Sequence, residues 1–437
     1  MPQINYTVKP SNELAGEFRV PGDKSISHRS IIFGSIADGT THVSGFLQGE
    51  DSLNTLRAFR AMGVKIEGPN ASGEVTIKGV GIDGLKKPAH PIDLGNSGTS
   101  IRLMSGLLSG QSFDVELCGD RSLSKRPMKR VTDPLALMGA EVNTVEGGYP
   151  PLKIKGGSSI KGIEYPMPMA SAQVKSCILL AGIYAQGETC VIEPATTRDH
   201  TERMLNAFNY PVKTQNNKMC IEGGGRLTAC DIDVPADISS AAFFLVGASI
   251  AKKADITLLH VGVNPTRTGV IDILKLMGAN IELLNECLVG GEPVADIRVK
   301  STQLKGIDVP ENLVPLAIDE FPALFVAAAC AEGKTTITGA EELRVKESDR
   351  IQVMADGLQA IGVDAIATDD GMIIRGGAIT GGTVHSCDDH RIAMAFTMAA
   401  LHAESDIIIE DCKNVSTSFP DFIGLANRAG INLAITE

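Results

Sequence analysis

"SISHRSIIFGSIADGTTHVSG", residues 25–45, reads as a polar entry, a helix of small and apolar residues, a turn and a short strand. The same layout returns five times. The copies are SGTSIRLMSGLLSGQSFDVEL from Ser97, SAQVKSCILLAGIYAQGETCVIE from Ser171 and DISSAAFFLVGASIAKKADITLL from Asp237. DEFPALFVAAACAEGKTTITG from Asp319 and DDHRIAMAFTMAALHAESDIIIE from Asp388 complete the set, with successive starts 66 to 82 residues apart. Self-similarity at a near-constant period marks a chain built from repeated supersecondary units.

Each copy is followed by a second helix that ends in a stop signal and a strand: RAMGVKIE, ALMGAEVN, NAFNYPVK, KLMGANIE, QAIGVDAI and NRAGINLA. Glycine just past the last helical turn, then alternating apolar residues, is the expected signature of that junction. In the third copy Asn209 takes the glycine's place, and Asn is the usual substitute in the left-handed conformation. Most units add a glycine-capped strand, as in TIKGV, KIKGG, CIEGG and IIRGG. The sixth unit reaches Glu437 before that strand, and INYTVKPS at residues 4–11 has the missing pattern. The expected architecture is six βαβ-type units, three per domain. Residues 1–20 and 235–437 form one domain and residues 21–234 the other, with crossings near residues 20 and 235.

Bulk properties agree with two globular domains. A chain of 437 residues exceeds one ordinary core. A net charge of −12, with no Trp and five Tyr, argues against a nucleic-acid partner, which recruits basic faces and stacking aromatics. No apolar run reaches the roughly 18 residues of a membrane span, and the N-terminus lacks a signal or transit pattern. Nine cysteines without C-x-x-C spacing point to thiols in a reducing, cytoplasmic compartment.

The six first helices are almost continuously apolar, so they are expected to be buried. Their polar starts supply caps for N–H groups that have no partner inside the helix. Ser25 or Ser27, Ser97, Thr99, Ser171, Asp237, Ser239 and Asp319 are candidates for that role. The cations are less ordinary. Lys24, Arg29, Arg102, Lys175 and Arg391 fall at or just inside these starts, where positive charge opposes the helix dipole. An anion between the helix end and the cation reverses that cost. Several such ends suit a ligand with several negative groups. SLSKRPMKR (122–130) and RVKESDR (344–350) add further basic residues.

Other chemistries find little support. The G-x-x-x-x-G-K-[ST] spacing is absent before Lys24, and no G-x-G-x-x-G opens a first βα turn. His385, Cys387 and His390 match no common zinc spacing. Cys118 follows an apolar strand and reads as an inert thiol. The carboxylates Asp319 and Glu347, set among cations, can act as general bases if a substrate hydroxyl comes within reach.

With PGDKSISHR, GNSGTSIR, DRSLSKRPM, SAQVKS, DEFPAL, RVKESDR and DDHRIAM in this order, the chain resembles the 5-enolpyruvylshikimate-3-phosphate synthase family over its full length. The resemblance implies an α/β (α+β) fold of two domains. Each would hold three βαβαββ units with buried parallel helices, an inverse α/β barrel-like arrangement, closing on substrates between helix N-termini. It implies transfer of the enolpyruvyl group of phosphoenolpyruvate to the 5-hydroxyl of shikimate 3-phosphate, through a tetrahedral ketal and with release of phosphate. It also implies a soluble monomer of the aromatic amino acid pathway, a glyphosate target that needs no metal or cofactor.

Carried over by motif, Lys24, Ser25, Arg29, Ser171, Ala172, Gln173, Asp319 and Lys346 would meet shikimate 3-phosphate. Lys24, Gly98, Arg126, Gln173, Arg350 and Arg391 would meet phosphoenolpyruvate, with planar guanidinium forks suited to its carboxylate and phosphate. Asp319 would take the hydroxyl proton, and Glu347 and Lys24 would serve proton transfer at C3 and at the leaving phosphate. Thr417, Glu342, His200 and Thr197 depart from the family pattern, and no role is carried over to them. A sister enzyme acting on UDP-N-acetylglucosamine is the alternative. Its loop cysteine is missing from DRSLSK before Arg126.

Overall fold

The structure, a computed structural model, describes residues 4–436. The chain forms two compact units. The terminal unit spans Met1–Pro21, Pro235–Leu288 and Pro293–Glu437, described from residue 4 to residue 436. The inserted unit spans Gly22–Val234 and also takes in Val289–Glu292, the tip between the strands Asn280–Val289 and Glu292–Lys300. That tip had no signal in the repeat pattern.

Each unit is centred on three helices whose sequences dictate burial. The inserted unit has α1 (Lys24–Ile36), α2 (Gly98–Ser109) and α3 (Ala172–Gly182). The terminal unit has α4 (Ile238–Ile250), α5 (Phe321–Ala329) and α6 (His390–Ala399). Every residue of α4 and α5 is buried. A helix apolar on all sides has no solvent face to offer. Small residues let these helices approach closely: a Cβ on Gly106 of α2 would stand 2.0 Å from the Cys177 carbonyl oxygen of α3. Several buried hydroxyls inside them bond to the preceding turn. Ser105 donates to the Ile101 carbonyl at 2.6 Å and Ser249 to that of Leu245 at 2.8 Å.

Sheets wrap these helices in one recurring order: a parallel pair, then antiparallel neighbours. In the inserted unit Ile92–Asp93 runs parallel to Val115–Cys118, which pairs antiparallel with Tyr149–Ile154. Glu164–Pro166, Glu188–Ile192 and Lys218–Glu222 repeat it. In the terminal unit Gly382–His385 runs parallel to Ile407–Glu410. The strand Asn5–Lys9 then pairs antiparallel with both Ile407–Glu410 and Asn432–Thr436, with Tyr6 opposite Ile409 and Ile435. The N-terminal strand thus occupies the place that the sixth repeat leaves open.

All six junctions after the second helices adopt positive φ: Gly63, Gly139, Gly278, Gly362 and Gly430, with Asn209 at 58°. Asn tolerates this region because its short polar side chain bonds locally.

The cysteines differ from expectation at one pair. Cys190 and Cys220 stand directly opposite each other on antiparallel strands, with Cα atoms 4.1 Å apart, and form a disulfide. Thirty residues separate them in sequence, so only the strand register reveals the pairing. The other seven cysteines are thiols.

Candidate functional site

The chemistry-bearing residues gather at the helix starts of each unit. In the inserted unit α1 is capped by Asp23, which accepts from the Ile26 amide at 2.8 Å. Ser25 and Ser27, the sequence candidates, do not cap it. Ser27 Oγ instead accepts from the Leu47 amide at 3.0 Å, and the Ser25 carbonyl accepts from Arg29 Nη1 at 3.0 Å. Lys24 at the first helical position forms an ion pair with Asp51. Arg29 is buried, donating from Nε to Thr201 at 2.7 Å and from Nη2 to Ser176 at 2.8 Å. Burial pulls its pKa down to about 10, although Glu202 and Asp23 oppose the shift.

At the start of α2, Ser97 is the cap, accepting from the Ser100 amide at 3.1 Å; Thr99 is not. Gly98 follows, and a Cβ there would lie 3.0 Å from both Arg102 Nη1 and Arg126 Nη1. Two guanidinium tips therefore converge on one helix N-terminus because the residue between them has no side chain. Neutral groups accept from both. Arg102 Nη1 donates to Gln173 Oε1 at 2.6 Å, and Arg126 Nη2 donates to Asn96 Oδ1 at 2.6 Å. Gln173 Nε2 in turn donates to Thr99 Oγ1 at 3.1 Å. Ser171 caps α3, accepting from the Val174 amide at 3.4 Å, with Ala172 as the first helical residue. Cations at a dipole's positive end, on an open backbone, make an anion site.

Lys175 corrects the sequence reading. It is 1% exposed, with Nζ 3.1 Å from Glu193 and 2.6 Å from Glu202. Its anions are the protein's own, and no ligand is needed to explain its place. The same cluster absorbs two departures from the family pattern. Thr197 Oγ1 donates to Glu193 at 2.7 Å, and His200 Nδ1 lies 2.8 Å from Glu292 Oε1.

The terminal unit is richer in carboxylates. The cap position of α5 falls on Glu320, so Asp319 stands one residue outside it. Asp319 Oδ1 lies 3.4 Å from Lys346 Nζ and 3.6 Å from Arg350 Nη1, and its carbonyl accepts from Arg391 Nη1 at 3.0 Å. Arg350 is 1% exposed. Its Nη2 donates to Glu347 at 2.6 Å and its Nε to Asp389 at 2.8 Å, whereas Nη1 is buried and makes no hydrogen bond among the described residues. Burial by itself would lower the Arg350 pKa, but Asp389, Glu347 and Asp319 outweigh it and the net shift is upward. Lys346 also pairs with Glu342 at 2.7 Å, which gives that departure a partner. Thr417 Oγ1 donates to the Asn414 carbonyl at 2.6 Å.

At α4 the cap is Asp237, which accepts from the Ser239 amide at 2.9 Å. Ser239 Oγ donates to Glu320, and Arg267 Nη2 donates to Ser239 Oγ at 2.7 Å. At α6 Asp389 is the cap. Asp51, Asp389, Glu320 and Arg267 belong to these clusters, and no site role was assigned to them from sequence. The doubled acid of DDHR was a signal for Asp389 and DEFPAL one for Glu320; Asp51 and Arg267 lie in segments without a distinctive motif. His385 is exposed and pairs with Glu410 at 2.6 Å. Cys118 donates to the Ile92 carbonyl at 3.6 Å, and burial raises its pKa.

A family model described as EPSP synthase (3-phosphoshikimate 1-carboxyvinyltransferase) matches residues 8–425. The chain is similar to the 3-phosphoshikimate 1-carboxyvinyltransferase of Hydrogenovibrio crunogenus, at 66% identity with 99% of each chain covered. It is 63% identical to that of Methylococcus capsulatus, again with 99% of each covered. A solved EPSP synthase from Acinetobacter baumannii has the same fold, with a TM-score of 0.91, 60% identity and 100% of both chains covered.

Proposed function

The chain belongs to the EPSP synthase family, transferases that move the enolpyruvyl group of phosphoenolpyruvate to the 5-hydroxyl of shikimate 3-phosphate, and we propose that the helix starts of both units carry that reaction. The observation that carries the residue assignment is the setting of Asp319. Its carboxylate faces Lys346 and Arg350, and its carbonyl faces Arg391. A carboxylate beside the cations that would hold both anionic substrates is suited to receive the hydroxyl proton.

Addition of the 5-hydroxyl to C2 of phosphoenolpyruvate, with protonation at C3, gives a tetrahedral ketal; loss of phosphate from C2 and of a proton from C3 restores the double bond. Asp319 takes the hydroxyl proton. Glu347, bonded to Arg350, and Lys24, beside Asp51, serve the C3 and leaving-phosphate protons. Arg126, Arg350 and Arg391, with the backbone at Gly98, hold phosphoenolpyruvate, and Lys24 and Gln173 reach both substrates. Ser25, Arg29, Ser171, Ala172, Gln173, Asp319 and Lys346 hold shikimate 3-phosphate. Fixed cations stabilise the charge that moves from the enol to the leaving phosphate. Arg350 Nη1 supports this role: it is buried, faces Asp319 at 3.6 Å and makes no hydrogen bond among the described residues, so a closer acceptor on an anion would satisfy it.

The chain acts as a cytoplasmic monomer in this reading. Seven cysteines are thiols, and no described helix is long and apolar enough to cross a membrane. The test is phosphate release from phosphoenolpyruvate, with shikimate 3-phosphate and UDP-N-acetylglucosamine as alternative acceptors. Release dependent on shikimate 3-phosphate is expected. Release with the nucleotide sugar alone would overturn the assignment.

A further inference from the structure

Asp389 is fully buried, and its two oxygens serve four donors. Oδ2 accepts from Arg350 Nε at 2.8 Å and from Ser348 Oγ at 3.1 Å. Oδ1 accepts from the Arg391 backbone amide at 2.9 Å and from Arg350 Nη2 at 3.3 Å. A buried carboxylate is costly unless it is paired and hydrogen-bonded, and this one is both.

The geometry has a direction. A guanidinium presents two hydrogen-bonding edges, and Asp389 takes the Nε/Nη2 edge of Arg350. The Nη1 end is left toward Asp319 Oδ1, 3.6 Å away. Through its other bond the same carboxylate caps α6 at the amide of Arg391, which fixes where that side chain leaves the backbone. An ordinary cap needs one acceptor oxygen, and Asn or Ser supplies it as well as Asp. Capping leaves the grip on Arg350 unexplained.

We propose that Asp389 is a positioning residue that sets the aim of two arginines at once, Arg350 through its guanidinium and Arg391 through its amide, without touching substrate itself. The inference rests on the reading of both arginines as phosphoenolpyruvate ligands. Affinity for that substrate then depends on a residue one layer behind the ligands, because a preoriented fork loses less freedom on binding.

Asp389→Asn keeps the cap acceptor but turns an amide N–H toward Arg350 Nε. Steady-state kinetics should show KM for phosphoenolpyruvate raised at least tenfold, kcat changed by less, and the Kd for shikimate 3-phosphate within twofold of wild type. A purely structural role would lower the melting temperature and leave KM for phosphoenolpyruvate unchanged, which would overturn the proposal. If Asp389→Asn fails to fold, Asp389→Ser, which also keeps a cap acceptor, is measured in its place. A double-mutant cycle with Arg350→Lys adds a second test. If Asp389 acts through Arg350, the double variant binds phosphoenolpyruvate no worse than Arg350→Lys alone, whereas additive losses would contradict it. Wild-type turnover with shikimate 3-phosphate separates the premises: its absence would sink the proposed ligand roles, and its presence beside an unaffected variant would sink this inference alone.

Discussion

Arg350 of the terminal unit and Arg126 of the inserted unit end in the same group, yet the protein holds them by opposite means. Arg350 is buried against Asp389 and Glu347, with Asp319 close by. Arg126 is partly exposed and donates to the neutral oxygens of Asn96 and Ser122. Arg102 follows the second pattern, donating to Gln173 and to the Gly98 carbonyl. Carboxylates fix a guanidinium before any ligand arrives. A bond to a neutral oxygen holds it more weakly than a bond to a carboxylate. Of the two guanidinium groups, that of Arg350 is therefore the one its carboxylates preorient.

Stability separates the two patterns most widely. Arg350→Met leaves Asp389 buried without its cation and should cost about 3–5 kcal/mol in urea unfolding. Arg126→Met removes bonds to neutral partners and should cost about 1 kcal/mol. Equal losses would break the comparison.

Lys175 is where the inserted unit departs from its own pattern, since Glu193 and Glu202 hold it as carboxylates hold Arg350. Lys175→Met should likewise cost about 3–5 kcal/mol near neutral pH. Burial raises the Glu202 pKa above 4.5 even with Lys175 opposing the shift. A raised folded-state pKa gives stability that is present below the unfolded value and lost as pH rises through the folded one. Without Lys175 the rise grows, so the variant should recover stability as pH falls toward 4.5. A loss that stays constant with pH would separate Glu202 from the effect.

Gly98→Ala tests the convergence of Arg102 and Arg126. The added methyl, 3.0 Å from both Nη1 atoms, must push the guanidinium tips apart. KM for phosphoenolpyruvate should rise about tenfold, roughly 1.4 kcal/mol of binding, with shikimate 3-phosphate affinity retained. An unchanged KM would remove Gly98 from that subsite.

The smallest effect concerns His28, buried beside Lys24 in sequence, with Nδ1 2.8 Å from Thr55 Oγ1. Burial lowers its pKa to about 3 against the ordinary 6.5; nearby Lys24 and Arg29 add to the shift, and Asp51 opposes it. The unfolded chain takes up this proton at higher pH than the folded one, so stability is lost as pH falls from 6.5 toward 3. His28→Asn should flatten that part of the pH dependence, measured by unfolding at pH 7 and 4.5. An unaltered slope would assign the acid sensitivity to other groups.

The contrast between the units also marks what sequence could convey. Repeats, buried helices and stop positions leave one-dimensional traces: apolar runs without a polar face, and glycine or Asn209 where φ is positive. The N-terminal strand was legible because the sixth repeat ended one strand short. Partners supplied by distant segments leave no such trace. Lys175 looked like an anion ligand because its place at a helix start is visible, whereas Glu193 and Glu202 reach it only in the fold. Asp319 looked like a cap until the helix was seen to begin two residues later, at Phe321. The Cys190–Cys220 bond depends on strand register, which spacing does not reveal.

Asp319→Asn tests the central claim most directly, with shikimate 3-phosphate binding and phosphate release from phosphoenolpyruvate measured on the same preparation. The change is nearly isosteric and removes the group assigned to take the hydroxyl proton. Turnover should fall about 10²- to 10⁴-fold, with shikimate 3-phosphate still bound. Wild-type turnover in the variant would contradict the assignment of Asp319 as the base.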